Sequence, residues 1–314
     1  MPTRTFFPIL SMVIVLCGLT ATLSAKDKPA TTQPAEKRVF SSHPTTDDGT
    51  RYILSPEQAA LPAYHTSHEE YFAKDVLGYN HFVLRGIDVV QASAPDGGGY
   101  FIGIKAKPTE SPIGYNLSVF GKQLLKAPRT TSYCSGSSYS AFIEGINHYS
   151  KDQNNGKYPK IKPRILEALR MQEPDGGRRN DGVKMWGHWN DDGFGNHFAL
   201  VQYTRIGKVI DPMHARPGDF MNISWTNGGG HSVIFLGYVI EQPENPNDVP
   251  IKKLRYWSSQ GSTNGLADQT VSLSRIRAVK VVRIVRPQNL FNFNIKQKVQ
   301  RKISGDKIIW PDDQ

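Results

Sequence analysis

The sequence predicts an α+β domain with helices packed on one antiparallel sheet, and three observations predict it. Tyr139, Phe142, Ile143, Ile146 and Tyr149 recur at steps of three and four, the spacing of one helix face. From Asp219 onward, four short β-prone runs follow one another: DFMNISW, HSVIFLGYVI, IKKLRYWSS and AVKVVRIV. They are separated by TNGGG, EQPENPNDVP and a Ser/Thr/Gly-rich stretch, all turn chemistry. Helix first and strands afterwards is the order of helices segregated onto a sheet.

The chain of 314 residues, 38% hydrophobic, has enough apolar content for a sizeable core. Residues 1–25 carry Arg4, the apolar run FFPILSMVIVLCGL and then TATLSA, the order of a secretory signal peptide. Residues 26–50 are polar and rich in Pro and Thr, so they read as a disordered linker. Residues 51–109 read as a β-rich extension, because DVVQASAPDGGGYFIGIKA sets two β-prone runs around a Pro-Asp-Gly-Gly-Gly turn. The segment 110–285 is the predicted main α+β domain. Within it a helix begins near Cys134, capped by Thr131 or Ser132, and a second runs from Pro163 to Met171 with proline at its first position. Residues 172–200 read as a long loop or insertion, and 286–314 as a basic tail whose end KQKVQRKISGDK lies on the surface or frays.

The formal net charge of +10 favours anionic surroundings. With export predicted, to the periplasm or the extracellular space, the expected partner is an anionic cell-wall polymer. Membrane contact is expected only through an uncleaved signal segment. No interleaved basic and aromatic run marks a nucleic-acid surface. No cofactor and no metal are expected. The stretch APDGGGYF lacks the Lys-Ser/Thr of a phosphate loop, and the spacing of His188, Asp191 and His197 does not establish a zinc site.

Removing the signal would remove Cys17 and leave Cys134 as an odd thiol in an oxidising compartment, which flags it as a reactive group. It sits in the first turn of its helix, where free amides favour a thiolate and should lower the thiol pKa. The small residues CSGSS let a substrate backbone approach and leave amides free for an oxyanion. A thiol nucleophile needs an imidazole within reach. Most of the nine histidines have ordinary readings, including His65 and His68 close to the linker. His231 stands apart, since it follows Gly228, Gly229 and Gly230 and opens a strand, a rigid mount with open space before it. A third group must hold the imidazole tautomer. In the next strand Lys253 and Arg255 face one way, outward, and Leu254, Tyr256, Ser258 and Gln260 the other, inward. Gln260 has the length to reach the ring, and Ser258 is the alternative.

The helix start YCSGSSYSAF, the run RPGDFMNISW led by a Pro-Gly-Asp turn, and GHSVIFLGY resemble the three signatures of the NlpC-type cell-wall cysteine peptidases and the related CHAP amidases. The resemblance spans residues from about 110 to 285. It implies a papain-like α+β domain, helices on an antiparallel sheet or half-barrel, hydrolysing amide bonds in peptidoglycan. By position it makes Cys134 the nucleophile, His231 the base and Gln260 the orienting residue, with Tyr115 near the oxyanion. Two departures stand out. Tyr133 occupies the place where the family commonly has an aspartate, and MWGHWNDDGFGNHFALVQY reads as inserted. The expected function is therefore an exported cysteine peptidase or amidase working through an acyl-enzyme. A wall-binding protein of the same fold and a Cys-His acyltransferase are the alternatives.

Overall fold

The computed structural model describes residues 51–310 except 77, 103–112, 128, 171–183 and 243–248. The predicted signal peptide and linker lie outside the described residues. Strands β1 (Leu117–Val119) and β2 (Lys122–Leu125) form a small ribbon. The main sheet holds β3 (Gly207–Ile210), β4 (Phe220–Trp225), β5 (Gly230–Glu241), β6 (Ile251–Gln260), β7 (Gly265–Ser272) and β8 (Ile276–Ile284). Its order is β3-β8-β4-β5-β6-β7, with every pairing antiparallel. The four predicted strands are β4, β5, β6 and β8.

The sheet must curl. In a flat sheet β7 and β8 would lie four strand spacings apart, about 19 Å. Between Ser272 and Ile276 the chain can span at most about 14 Å. The curled sheet therefore has an inner and an outer face, and apolar residues sort between them. Val233, Phe235, Leu254, Tyr256, Val279 and Val281 cluster on the inner face. Ile234, Leu236, Trp257 and Val282 join the helices on the outer face.

The outer face carries α3 (Asn80–Ala92) and α4 (Cys134–Gln153). They cross at small residues: a Cβ on Gly86 would lie 2.4 Å from the Ala141 carbonyl oxygen and 2.9 Å from the Gly145 amide. Gly86→Ala should therefore cost about 2–3 kcal/mol by overpacking backbone on backbone, although helix propensity alone would favour alanine by up to about 1 kcal/mol. Urea unfolding measures it. A stability gain would show that the helices part without cost. The Pro-Gly-Asp turn ties this layer to the sheet. The Asp219 carboxylate accepts from Arg283 Nε at 2.8 Å, from Arg283 Nη2 at 2.7 Å and from Asn80 Nδ2 at 2.8 Å.

Four expectations are corrected. Among its described residues the 51–109 segment holds α1 (Pro56–Ala59), α2 (His68–Phe72) and α3, with only isolated bridges at Ile53, Gly98 and Tyr100. The first run of the expected hairpin lies in α3, while residues 103–109 lie outside the described residues. Val83, Ile87 and Val90 are buried at helical spacing, and that packing overrides the β preference of Val89-Val90. The described part of the supposed insertion holds α6 (Met185–Trp189) and a π-helix (His197–Tyr203), whose Trp186, Trp189, Phe198 and Leu200 are core. The tail is docked as far as residue 310: Asp306 and Val279 exchange backbone hydrogen bonds of 2.7 and 2.8 Å, and Trp310 lies under Arg51 and Lys252. Finally, Arg255 does not face solvent. It is buried, and its guanidinium donates to Asp268 and to the carbonyls of Ala59 and Leu61. The second helix, α5 (Pro163–Leu169), starts at the proline as expected.

Arg255 belongs to a network that fastens the N-terminal arm onto β7. Asp268 also accepts from His65 Nε2 at 3.2 Å and His68 Nε2 at 3.0 Å. His68 Nδ1 meets Asp88 Oδ1 at 2.6 Å, and the Asp88 carboxylate takes the His68 and Glu69 amides at the start of α2. Burial opposes charge on His68, but the Asp268 carboxylate, with further bonds from Asp268 and Asp88, raises its pKa to about 9.

Candidate active site

The two strands that bear the predicted histidine and glutamine separate at one end of the sheet. The β5–β6 ladder stops at Ile234↔Trp257, although β5 begins at Gly230 and β6 runs on to Gln260. Serine hydroxyls at the start of α4 fill the opening. Ser259 N donates to Ser137 Oγ at 3.1 Å, and Ser132 Oγ donates to Ser259 Oγ at 2.9 Å. Ser138 Oγ lies 2.8 Å from Ser232 Oγ, and Ser258 Oγ donates to the Ser232 carbonyl at 2.8 Å. With β6 turned away, the Ser232 amide donates to the Cys134 sulfur.

Cys134 is the first residue of α4 and is partly exposed. The N-cap is Tyr133, whose side chain makes no cap hydrogen bond, so neither Thr131 nor Ser132 fills the predicted capping role. The uncapped amides of Cys134 and Ser135 are directed at the sulfur instead. The thiol pKa is nevertheless raised, because burial outweighs these donors. This corrects the expected acidic thiol: helix-end amides lower a pKa, and a dry setting reverses the balance.

His231 is the residue before Ser232. Since Ser232 points at α4, strand alternation turns His231 to the inner face, and its ring lies 5.5 Å from Tyr256 and 6.1 Å from Trp225. Part of the residue is solvent-exposed, but Nε2 is buried and without a hydrogen-bond partner. Burial lowers the ring pKa to about 4, and neighbouring Gln260 opposes that fall. Gln260 spends its amide hydrogens on Thr263 Oγ1 at 2.7 Å and the Ala267 carbonyl at 3.2 Å. Its Oε1, buried and unpartnered, is thereby left as an acceptor beside the ring. No hydrogen bond joins His231 and Cys134 among the described residues, and burial disfavours charge on both, raising the thiol pKa and lowering that of the ring to about 4. Such contacts commonly tighten only when substrate binds.

Cys134, His231 and Gln260 thus gather at one sheet end, while two other candidates do not. Ser258 is occupied by Ser232 and braces the strand opening. Tyr115 donates to Glu144 at 3.1 Å, ten residues along α4 from Cys134, or about 15 Å at 1.5 Å per residue. Tyr100 is the tyrosine at the site. A parallel bridge joins it to Ser132, and the charge of Cys134, after burial, contributes to raising its pKa to about 12. Tyr100 is delivered by the glycine run: Leu266 N donates to the Gly97 carbonyl at 2.9 Å and Gly99 N to the Asn264 carbonyl at 2.9 Å. A Cβ on Gly265 would lie 1.9 Å from the Gly97 oxygen. Residue type gave no signal for Tyr100, Trp225 or Tyr256, because each arrives through long-range pairing.

Among the described residues the group with metal-ligand spacing is His65, His68 and Asp268. Arg255 occupies the Asp268 carboxylate, with Nε at 2.9 Å and Nη2 at 2.8 Å, so a cation would face a guanidinium. His188 Nδ1 is 3.1 Å from Arg301 Nη2, equally unsuited to zinc. Comparison with protein-family models, curated proteins and solved structures finds no match for this chain.

Proposed function

We propose that the chain is an exported cysteine hydrolase that cleaves an amide bond in peptidoglycan stem peptides through an acyl-enzyme on Cys134. The observation that supports this is the opened end of β5 and β6, where the Ser232 amide meets the Cys134 sulfur and, one residue earlier on β5, the His231 ring lies beside Gln260. In the catalytic arrangement the two buried atoms without partners, His231 Nε2 and Gln260 Oε1, pair with the proton on Nε2, which leaves Nδ1 as the base. Nδ1 takes the thiol proton as sulfur attacks the scissile carbonyl, and the oxyanion meets the Cys134 amide and the Tyr100 hydroxyl. His231 then protonates the departing amine. Water, deprotonated by the same ring, hydrolyses the thioester and restores the thiol. The amide bond and its setting in peptidoglycan rest on the resemblance, the signal-like N-terminus and the net charge of +10.

Acid quenching during turnover of a stem peptide, followed by intact-mass spectrometry, tests the covalent step. The protein should gain the mass of the acyl fragment, located to the peptide that contains Cys134. Product accumulating with no adduct, and with turnover unchanged when Cys134 is alkylated, would remove the reading. Release of the acyl group to an added amine rather than to water would make the chain an acyltransferase.

A further inference from the structure

An exposed arginine stands at the same end of the sheet on a half-buried ring. Arg275, in the link from β7 to β8, holds its guanidinium carbon 5.9 Å from the centroid of the Trp225 ring. Trp225 in turn lies 6.1 Å from the His231 ring. The Arg275 carbonyl accepts from Thr226 N at 3.0 Å and Thr226 Oγ1 at 3.2 Å, which fixes the backbone that presents the side chain. Among the described residues Arg275 has no ion-pair partner, whereas its neighbour Arg277 donates to Ser224 Oγ at 2.6 Å. Burial dominates the acidity of Tyr256, and its hydroxyl senses the Arg275 cation and the Cys134 charge with opposite sign. Arg275 and the candidate nucleophile therefore both act on one phenol.

A guanidinium laid on an indole keeps its N–H edges free, and that planar fork matches a carboxylate in a bidentate pair. We propose that Arg275, presented by Trp225, recognises a carboxylate on the substrate. Two steps of about 6 Å from His231 put this group within about three residues of the scissile carbonyl, at roughly 3.5 Å of extended chain per residue. The inference rests on the hydrolase reading for the identity of the ligand as a substrate. It assigns specificity to a single exposed cation, while the general excess of positive charge supplies attraction without register.

The test separates binding from turnover. In the full chain carrying Cys134→Ala, calorimetry compares two stem peptides that differ only in a glutamyl carboxylate replaced by carboxamide. The carboxylate form should bind at least about tenfold tighter, as a charge-assisted bidentate pair allows. Arg275→Gln should abolish that preference without weakening the carboxamide peptide, and Arg275→Lys should keep part of it. Equal affinity for the two peptides, a preference that survives Arg275→Gln, or no binding of either peptide would overturn the proposal. Turnover by the chain with Cys134 intact distinguishes the two failures. Cys134-dependent cleavage with a KM indifferent to Arg275 would sink the subsite alone. An Arg275-dependent binding preference with no cleavage would sink the hydrolase reading and leave the subsite standing.

Discussion

Replacement of Cys134 by alanine is expected to lower kcat/KM on a stem-peptide amide by at least about a thousandfold, or about 4 kcal/mol at 1.36 kcal/mol per tenfold. His231→Ala should fall to a similar level, and the double variant should be no worse than either, because nucleophile and base act as one unit. Neither change should move the unfolding midpoint far, since Cys134 and His231 are both partly exposed. The pH profile carries more information than the loss itself. With the ring pKa lowered to about 4, His231 is an available base at all higher pH, so kcat/KM should rise through about pH 4 and then hold. The thiol pKa is raised, so alkylation of the free protein by iodoacetamide should accelerate only above the ordinary thiol range near about 8.5. A fast alkylation plateau between about pH 4 and 8 would instead reveal a thiolate–imidazolium pair and overturn the neutral assignment. An additive double variant would separate the two residues into independent roles.

That neutral pair marks where sequence reasoning reaches its limit at this site. Cys134, His231 and Gln260 are legible because each combines a residue type with a local position: a helix start, a strand behind three glycines, and the alternate register of the next strand. Their acidities are not legible, because these depend on how much water the fold excludes, and helix-end amides and burial act in opposite directions on one sulfur. The opening between β5 and β6 is equally hidden. It rests on Ser132, Ser137 and Ser138 at the helix start meeting Ser232 and Ser259 across 94 to 127 residues of sequence, with Ser258 bracing Ser232.

The fold follows the same division. β4, β5, β6 and β8 have strong apolar runs and were expected, whereas β7, GLADQTVS, reads as turn because Gly, Asp, Gln and Ser dominate it. What holds β7 is register with β6 from Lys253↔Ser272 to Gln260↔Gly265, together with the Asp268 network. α3 was read as strand from Val89-Val90, yet Phe82, Val83, Ile87 and Val90 share a buried face. His65 and His68 read as linker histidines because no local pattern shows that Asp268, some 200 residues on, closes over them.

Asp268→Asn should therefore be the most destabilising change outside the apolar core, at about 3–5 kcal/mol. It removes the one carboxylate that faces Arg255, His65 and His68 together, and strands the buried Arg255 guanidinium without a counter-charge. The pH dependence of this loss has a definite sign. The His68 pKa is about 9 in the fold and about 6.5 in an unfolded chain, so its contribution is complete below about pH 6.5 and disappears as pH rises through 9. For Asp268, burial would raise the pKa, yet His68, His65 and Arg255 hold it far below the carboxylate range. Its contribution is therefore present above about pH 4 and fades in strong acid. The two shifts describe one interaction and do not add. The parent protein should lose stability between about pH 6.5 and 9, with a span of about 3 kcal/mol from His68 at 1.36 kcal/mol per unit, and that slope should flatten in Asp268→Asn. Urea midpoints at pH 6 and pH 9 measure both effects. If the variant kept the parent slope, the alkaline loss would belong to another group, and if it matched the parent at pH 6, the network would be surface decoration. Because the Ala267 carbonyl next to Asp268 holds the Gln260 amide, loosening β7 should also raise KM or lower kcat below the unfolding range. That couples the latch on the N-terminal arm to the orientation of the His231 ring through Gln260.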